Sequence, residues 1–285
     1  MHIVLGGTGH VGSALAEELI ARGEAVTVVT HDPAKRGDWE ARGARVALAD
    51  VRDPSGLREV FRRGRRLFLL NPPAAVAADT DMVERESVRS IVAALQDSGP
   101  EKIVAESTYG AQPIERAGDL GVLYEMERAL EAQPIPFSTI RAAYYMSNWD
   151  AALATARADG IVRSFLPASF RLPMVAPCDL GRVAAELMTA PAAEREVRYA
   201  EGPRRYAPED VAVCFASALG REVRVEEVPR DRWVEGFREL GFSAPAASSY
   251  AAMTAATVDG LELAEHPWRG ETTLREYIDA LAGAA

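Results

Sequence analysis

Four glycines fall in a short stretch, Gly6-Gly7-Thr8-Gly9-His10-Val11-Gly12, directly after the apolar run Ile3 to Leu5. Backbone amides can close on a bulky phosphate only where no side chain stands in the way. Gly9 would let the main chain approach a pyrophosphate, and Gly12 would let the following helix lie close to the strand. Ser13 to Arg22 has helical spacing, with Leu15, Leu19 and Ile20 on one side. The first amides of that helix, aided by its dipole, would hold an anion. Strand, glycine turn and helix in this order read as a dinucleotide-phosphate site rather than a merely structural turn. Gly6, Thr8, Gly9, His10, Val11 and Gly12 are the residues expected around the phosphates. His10 either shields them or simply sits at the surface.

The rest of the first half supplies the elements that such a site needs. Apolar strands are expected at 25–30, 45–48, 67–70, 102–105 and 137–140, with helices near 55–62, 80–98 and 121–132. Alternation of this kind predicts an α/β protein with a Rossmann-type, doubly wound parallel sheet and right-handed crossovers. Pro33, Pro54, Pro72, Pro73, Pro100 and Pro134 sit in the connections, where proline is tolerated. Beyond Arg141 the pattern loosens. Helices are expected at 150–158, 179–189, 208–219 and 231–240, and strands at 170–175, 197–199 and 222–228. The Ala- and Ser-rich stretch 243–257 reads as a helix covering the cleft. These spans suggest a dinucleotide-binding domain over 1–149, its sheet completed by about 176–200. A smaller C-terminal α/β substrate lobe would comprise 150–175 and 201–285, sharing one core with the first domain.

Composition narrows the function classes. The chain has 285 residues, 48% of them hydrophobic, enough for a full core. Its formal net charge is -10, which argues against a nucleic-acid partner, since phosphate contact needs a basic face. Cys178 and Cys214 lie far apart and read as reduced thiols. No metal-ligand spacing and no Ser-His-Asp arrangement is evident, so no metal is expected. With neither a signal peptide nor a bilayer-spanning apolar run visible, a cytoplasmic protein without membrane attachment is expected.

GGTGHVG at Gly6, DPAKR at Asp32, ADVRDP at Ala49, LFLLNPP at Leu67 and IVAEST at Ile103 follow one another in a specific order and spacing. IPFSTIRAAYYMSNW, CDLGRVAAELMTAP, YAPEDVAVCFASALGREV and RGETTLREYID continue it. In that order the chain resembles the NmrA-like family of atypical short-chain dehydrogenases/reductases. The resemblance implies a Rossmann-type sheet, NADP(H) or NAD(H) as cofactor, and a small substrate lobe. Some members of that family reduce quinones, enals or isoflavonoid-type substrates. Others bind the dinucleotide as a redox signal and regulate a partner protein.

Cofactor choice rests on the end of the second strand, where a carboxylate would grip the ribose 2′-hydroxyl and repel a 2′-phosphate. Thr30 and His31 are not acidic, and NADP-preferring relatives place an arginine where this chain has His31. Lys35 and Arg36 follow and could reach a 2′-phosphate, although both also suit an ordinary solvated surface. Asp32 is the counter-evidence, but Asp32-Pro33 equally reads as a turn starter that caps the next helix. NADP(H) is therefore favoured over NAD(H). Asp50 and Val51 end the third strand near the expected adenine, or form an Asx turn with no ligand role. Asn71, Pro72 and Pro73 should pass beneath the cofactor's ribose, and Ser107 should lie near the nicotinamide.

A proton donor is harder to find. Ordinary short-chain dehydrogenases use a tyrosine and a lysine four residues later. This chain holds only Lys35 and Lys102, both misplaced for that role, and Tyr124 is followed at that spacing by Arg128, which stays charged. Some NmrA-like reductases place a lysine or histidine four residues before a helix glutamate; here the glutamate is Glu127 and the position holds Leu123. Tyr109, Tyr144 and Tyr145 could each donate, although an aromatic wall is the commoner use of such residues. Tyr109 and Tyr144 are the catalytic candidates named from sequence. The resulting expectation is an NAD(P)H-binding oxidoreductase acting on a quinone or similar flat carbonyl compound. The alternative is a noncatalytic NADP(H) sensor that regulates a protein partner.

Overall fold

A computed structural model describes residues 1–284. In its first half the chain runs β1 (His2–Leu5), α1 (His10–Ala21), β2 (Val26–Thr30), α2 (Arg36–Ala41), β3 (Arg45–Leu48), α3 (Pro54–Phe61), β4 (Arg66–Leu69), α4 (Thr80–Leu95), β5 (Lys102–Thr108), α5 (Asp119–Glu131) and β6 (Phe137–Ala142). It continues with β7 (Tyr144–Tyr145), α6 (Ala152–Asp159), β8 (Ile161–Ser164), β9 (Leu172–Val175), α7 (Pro177–Thr189), β10 (Val197–Glu201), β11 (Arg205–Tyr206), α8 (Pro208–Leu219), β12 (Arg224–Glu227), α9 (Trp233–Glu239), α10 (Ala244–Gly260), β13 (Trp268–Arg269) and α11 (Leu274–Ala284).

Eight strands form one sheet in the order β13-β10-β6-β5-β4-β1-β2-β3, and every pairing in it is parallel. Helices cover both faces, which is why the central strands are continuously apolar instead of alternating. One face packs Leu15 and Leu19 of α1 and Val183, Leu187 and Met188 of α7 against Val4, Phe68 and Val104. The other packs Leu57 and Phe61 of α3, Ile91 of α4 and Met126 of α5 against Ile3, Leu67 and Ile103. Helices α1 and α7 touch closely because Gly181 has no side chain. A Cβ there would lie 2.6 Å from the Ala14 carbonyl carbon.

The C-terminal residues build two small sheets, β11-β9-β7 and β12-β8, around separate apolar clusters. Helix α10 lies over the loops that follow β4 and β5. The Ser243 amide donates to Val76 O at 2.9 Å, and its hydroxyl to Ala78 O at 2.6 Å. Ser249 donates to Asp81 Oδ1 at 3.1 Å and accepts from the Gly118 amide at 2.8 Å. The covering helix read at 243–257 is thus present and runs on to Gly260.

Candidate functional site

The glycine loop is built around the Gly6 carbonyl. Gly6 has φ +70°, a left-handed conformation suited to glycine. Its oxygen accepts the Gly9 amide at 3.0 Å, closing a tight turn. A Cβ on Gly12 would collide with that same oxygen and lie 2.8 Å from Gly7 Cα. Gly12 is therefore what lets α1 seat against the loop. Gly9 differs: a Cβ there would meet nothing closer than the Gly6 oxygen at 3.5 Å, so the space above it is open. Gly9 is also the N-cap of α1, with no side-chain cap and no acidic residue in the first turn. The opening amides of α1 are left facing that space, an arrangement that fits a pyrophosphate. Thr8 Oγ1 lies 3.3 Å from Thr30 Oγ1 and ties the loop to the end of β2. Val11 is buried, while His10 is exposed with Nε2 4.0 Å from Asp150 Oδ2. Asp150 in turn accepts from the Tyr277 hydroxyl at 2.7 Å. Sequence reading did not single out that link, nor Gly7, whose Cβ would press on Val28 Cγ1 at 2.9 Å.

At the far side of the sheet edge lie the residues that would select the ribose. Asp32 Oδ1 accepts the Ala34 amide at 2.9 Å and caps the short helical turn 33–35. His31, Lys35 and Arg36 are exposed. Asp50 forms an Asx turn, accepting the Arg52 amide at 2.9 Å and pairing with Arg52 Nη2 at 3.1 Å. The hydrogen bonds from Arg52 hold its carboxyl below the usual range. Val51 packs its side chain on the cluster beneath.

The ends of β4, β5 and β6 make the other half of the site. Asn71 Nδ2 donates to Glu84 O at 3.2 Å, while its Oδ1 is buried without a partner. Pro72 and Pro73 follow, and the Ala74 amide then donates to Glu84 Oε1 at 2.9 Å. Burial, and next Asp119, push the Glu84 carboxyl up to about 7. Ser107 is fully buried and donates to Glu127 Oε1 at 2.5 Å. Arg141 grips both oxygens of Glu127, at 3.0 and 2.7 Å, and also reaches Tyr199 Oη at 2.8 Å.

Burial raises all three tyrosines, which differ in their partners. Tyr109 donates to Glu201 Oε1 at 2.6 Å, and burial together with that carboxylate raises it strongly. Tyr144 is half-buried with its ring 6.0 Å from that of Trp149, and burial pushes its hydroxyl up to about 12. Tyr145, also half-buried, donates its hydroxyl to Glu106 Oε1 at 3.0 Å, and burial, then that carboxylate, raise it well above the ordinary phenol range. Glu106 is 3% exposed; burial pushes its carboxyl up to about 8, and Oε2 has no partner. Glu106 was quoted within IVAEST but given no role. A lone carboxylate after the apolar run Ile103–Ala105 was the available signal. Arg128 pairs with Glu131 beside Tyr124, and buried Lys102, the first residue of β5, donates to Pro191 O at 3.2 Å. Among the described residues no cluster suited to a metal occurs, and no helix is long and apolar enough to cross a membrane.

A family model described as the NmrA-like family matches residues 2–277. The chain belongs to the NmrA-like family. It is 22% identical over 242 residues to an NAD(P)H azoreductase of Xenophilus azovorans, covering 85% of this chain and 82% of that protein. Two solved structures superpose over almost the whole chain. One is an NADPH-dependent quinone oxidoreductase of Escherichia coli complexed with NADPH, with TM-score 0.77, 20% identity and 99% of each chain covered. The other is a triphenylmethane reductase of Citrobacter sp., with TM-score 0.79, 17% identity and 99% of each chain covered. The sheet order and the family assignment agree with the fold read from sequence.

Proposed function

We propose that this NmrA-like protein is an NADPH-dependent reductase of a flat aromatic acceptor, a quinone or an azo compound. The observation that carries the reading is the uncapped start of α1 beneath the open space at Gly9. The azoreductase and quinone oxidoreductase likenesses supply the acceptor class. Gly9, His10, Val11 and Gly12 would hold the pyrophosphate through their amides, with Gly6 and Thr8 shaping the loop. His31, Lys35 and Arg36 would take the 2′-phosphate, a preference supported by the cap that Asp32 makes on its own turn. Asp50 and Val51 would border the adenine, Asn71, Pro72 and Pro73 the ribose, and Ser107 the nicotinamide.

When bound, the dinucleotide supplies a hydride. The chain's own residues orient it and shut out water: α10 closes over the loops after β4 and β5, held by Ser243 and Ser249. Residues 1–149 with 176–200 would form the dinucleotide-binding unit, its sheet extended at one edge by β13 from beyond the expected bounds, and 150–175 with the rest of 201–285 the acceptor-binding lobe. A cytoplasmic setting, where NADPH is available, suits this chemistry.

The test is NADPH titration followed by steady-state NADPH oxidation against a panel of quinones and azo dyes. Saturable NADPH binding with turnover of at least one acceptor is expected. Failure to bind NADPH overturns the cofactor assignment. Binding without any turnover returns the protein to the regulatory reading.

A further inference from the structure

Reduction of a quinone or azo group consumes a proton as well as a hydride, and the tyrosine–lysine pair that usually delivers it is absent. The geometry at the end of β5 points to a replacement. Glu106 stands opposite Ile140 in the β5–β6 register, one residue before Ser107. Alternation along a strand turns its side chain to the face opposite that of Ser107. There its recorded partner is the Tyr145 hydroxyl, 3.0 Å from Oε1. Among the described residues no cation pairs with it. The segments 71–79, 106–112, 143–150 and 243–262, which frame this end of the sheet, contain no lysine or arginine. The groups that act on this pair and its neighbours are acidic or phenolic: Asp119 of α5 acts on Tyr145, and Glu84 of α4 and Tyr250 of α10 act with Asp119. The arginines of the packed strands and helices are held by carboxylates, Arg141 of β6 by Glu127 and Arg182 of α7 by Asp179. Arg116, in the loop before α5, is paired with Asp79 at 3.1 Å, and Arg85 of α4 with Asp81 at 2.8 Å.

We propose that Tyr145 is the proton donor of the reduction and that Glu106, behind it, is the proton source that recharges it. The proposal rests on the reductase reading above. Burial without a cation keeps the Glu106 carboxyl neutral up to about 8. A neutral carboxyl has one O–H, and a buried donor without an acceptor is costlier than an unpaired carbonyl oxygen. In the neutral acid a proton on Oε1 would face Tyr145 Oη and leave the partnerless Oε2 as the carbonyl oxygen, whereas in the ionised form Oε1 accepts the Tyr145 hydroxyl. With the acid neutral, the phenolic oxygen accepts from Glu106 and its own proton is no longer spent on the carboxylate. In the reaction the hydride from the reduced dinucleotide adds to one acceptor atom. The Tyr145 O–H bond breaks, and its proton goes to the atom left holding the electron pair. The Glu106 proton passes to the phenolate, and solvent reprotonates the carboxylate.

The experiment compares wild type, Glu106→Gln and Tyr145→Phe by NADPH titration and by steady-state NADPH oxidation with a quinone across pH. A positioned acid contributes roughly a hundredfold or more. Both variants should keep NADPH affinity within a few-fold of wild type while losing about a hundredfold in rate. The wild-type rate should fall as pH rises through about 8, where Glu106 ionises, and Glu106→Gln should lack that limb. An infrared carboxyl C=O band that disappears on titration near that pH, and is missing in Glu106→Gln, should accompany it. Wild type that turns over while both variants keep its rate and pH profile overturns this proposal alone. Wild type that binds NADPH and reduces no acceptor overturns the reductase reading, and this proposal with it.

Discussion

Gly9 and Gly12 offer a paired perturbation whose outcomes should diverge. Gly9 has φ -85° and ψ 177°, an extended conformation that valine adopts readily, and a Cβ there meets no neighbour closer than 3.5 Å. Gly9→Val should therefore fold with little loss of stability. Its side chain would fill the space over the α1 amides and displace a pyrophosphate. Each amide bond to a charged oxygen is worth about 1.5–3 kcal/mol, so losing two costs about 3–6 kcal/mol, or roughly 10²- to 10⁴-fold in NADPH affinity. Gly12→Ala should do the reverse in kind. Its Cβ is driven into the Gly6 carbonyl and Gly7 Cα, and overpacking of this sort costs about 1–3 kcal/mol. That predicts a melting temperature lower by roughly 2–12 °C, with cofactor affinity falling only as far as the loop shifts. Thermal melts and fluorescence titration with NADPH on both variants give the answer. A folded Gly9→Val with wild-type affinity, or a Gly12→Ala that melts like wild type, would refute the reasoning.

Lys35→Ala or Arg36→Ala should weaken NADPH by about tenfold and hardly touch NADH, as expected for one lost charge-assisted contact. Calorimetry showing wild type binding NADH more tightly than NADPH would reverse the assignment. Glu106 should also shape stability: its folded pKa, about 8, is raised above the usual 4.5. Its contribution is complete below about pH 4.5 and drains as pH rises to about 8, by roughly 1.4 kcal/mol per unit. Glu106→Gln should flatten the pH dependence of urea unfolding across that window, and an unaltered slope would contradict it. Glu127→Ala should cost about 3–5 kcal/mol by leaving Arg141 without its carboxylate, measurable as a lower urea midpoint. Loss of under 1 kcal/mol would mean that solvent already serves Arg141.

Sequence and structure agree where one local rule dictates the outcome. The glycine loop was legible because each glycine answers a separate steric demand: Gly6 a positive φ, Gly9 an open approach, Gly12 a close contact. Helix α8 was placed at its observed bounds, since Pro208 sits at its first turn and Gly220 ends it in the left-handed conformation. Asp32 had two readings, and its side chain makes the cap. The two-residue strands β7, β11 and β13 were missed because so short a segment has no period to detect. Helix α1 begins at His10 instead of Ser13, because the uncapped glycine loop leads straight into it. Tyr109 and Tyr144 could not be told from Tyr145 by type. What separates them is a carboxylate far along the chain in one case, Trp149 in the second and Glu106 in the third.

The His10–Asp150–Tyr277 link joins the first turn of α1 to α11, near the opposite end of the chain. Tyr277 lies 127 positions beyond Asp150, so this link beside the phosphate loop closes only after α11 has been made. A ribosome-bound chain that had emerged through β6 would already own every glycine of the loop, yet His10 would lack its distant clasp.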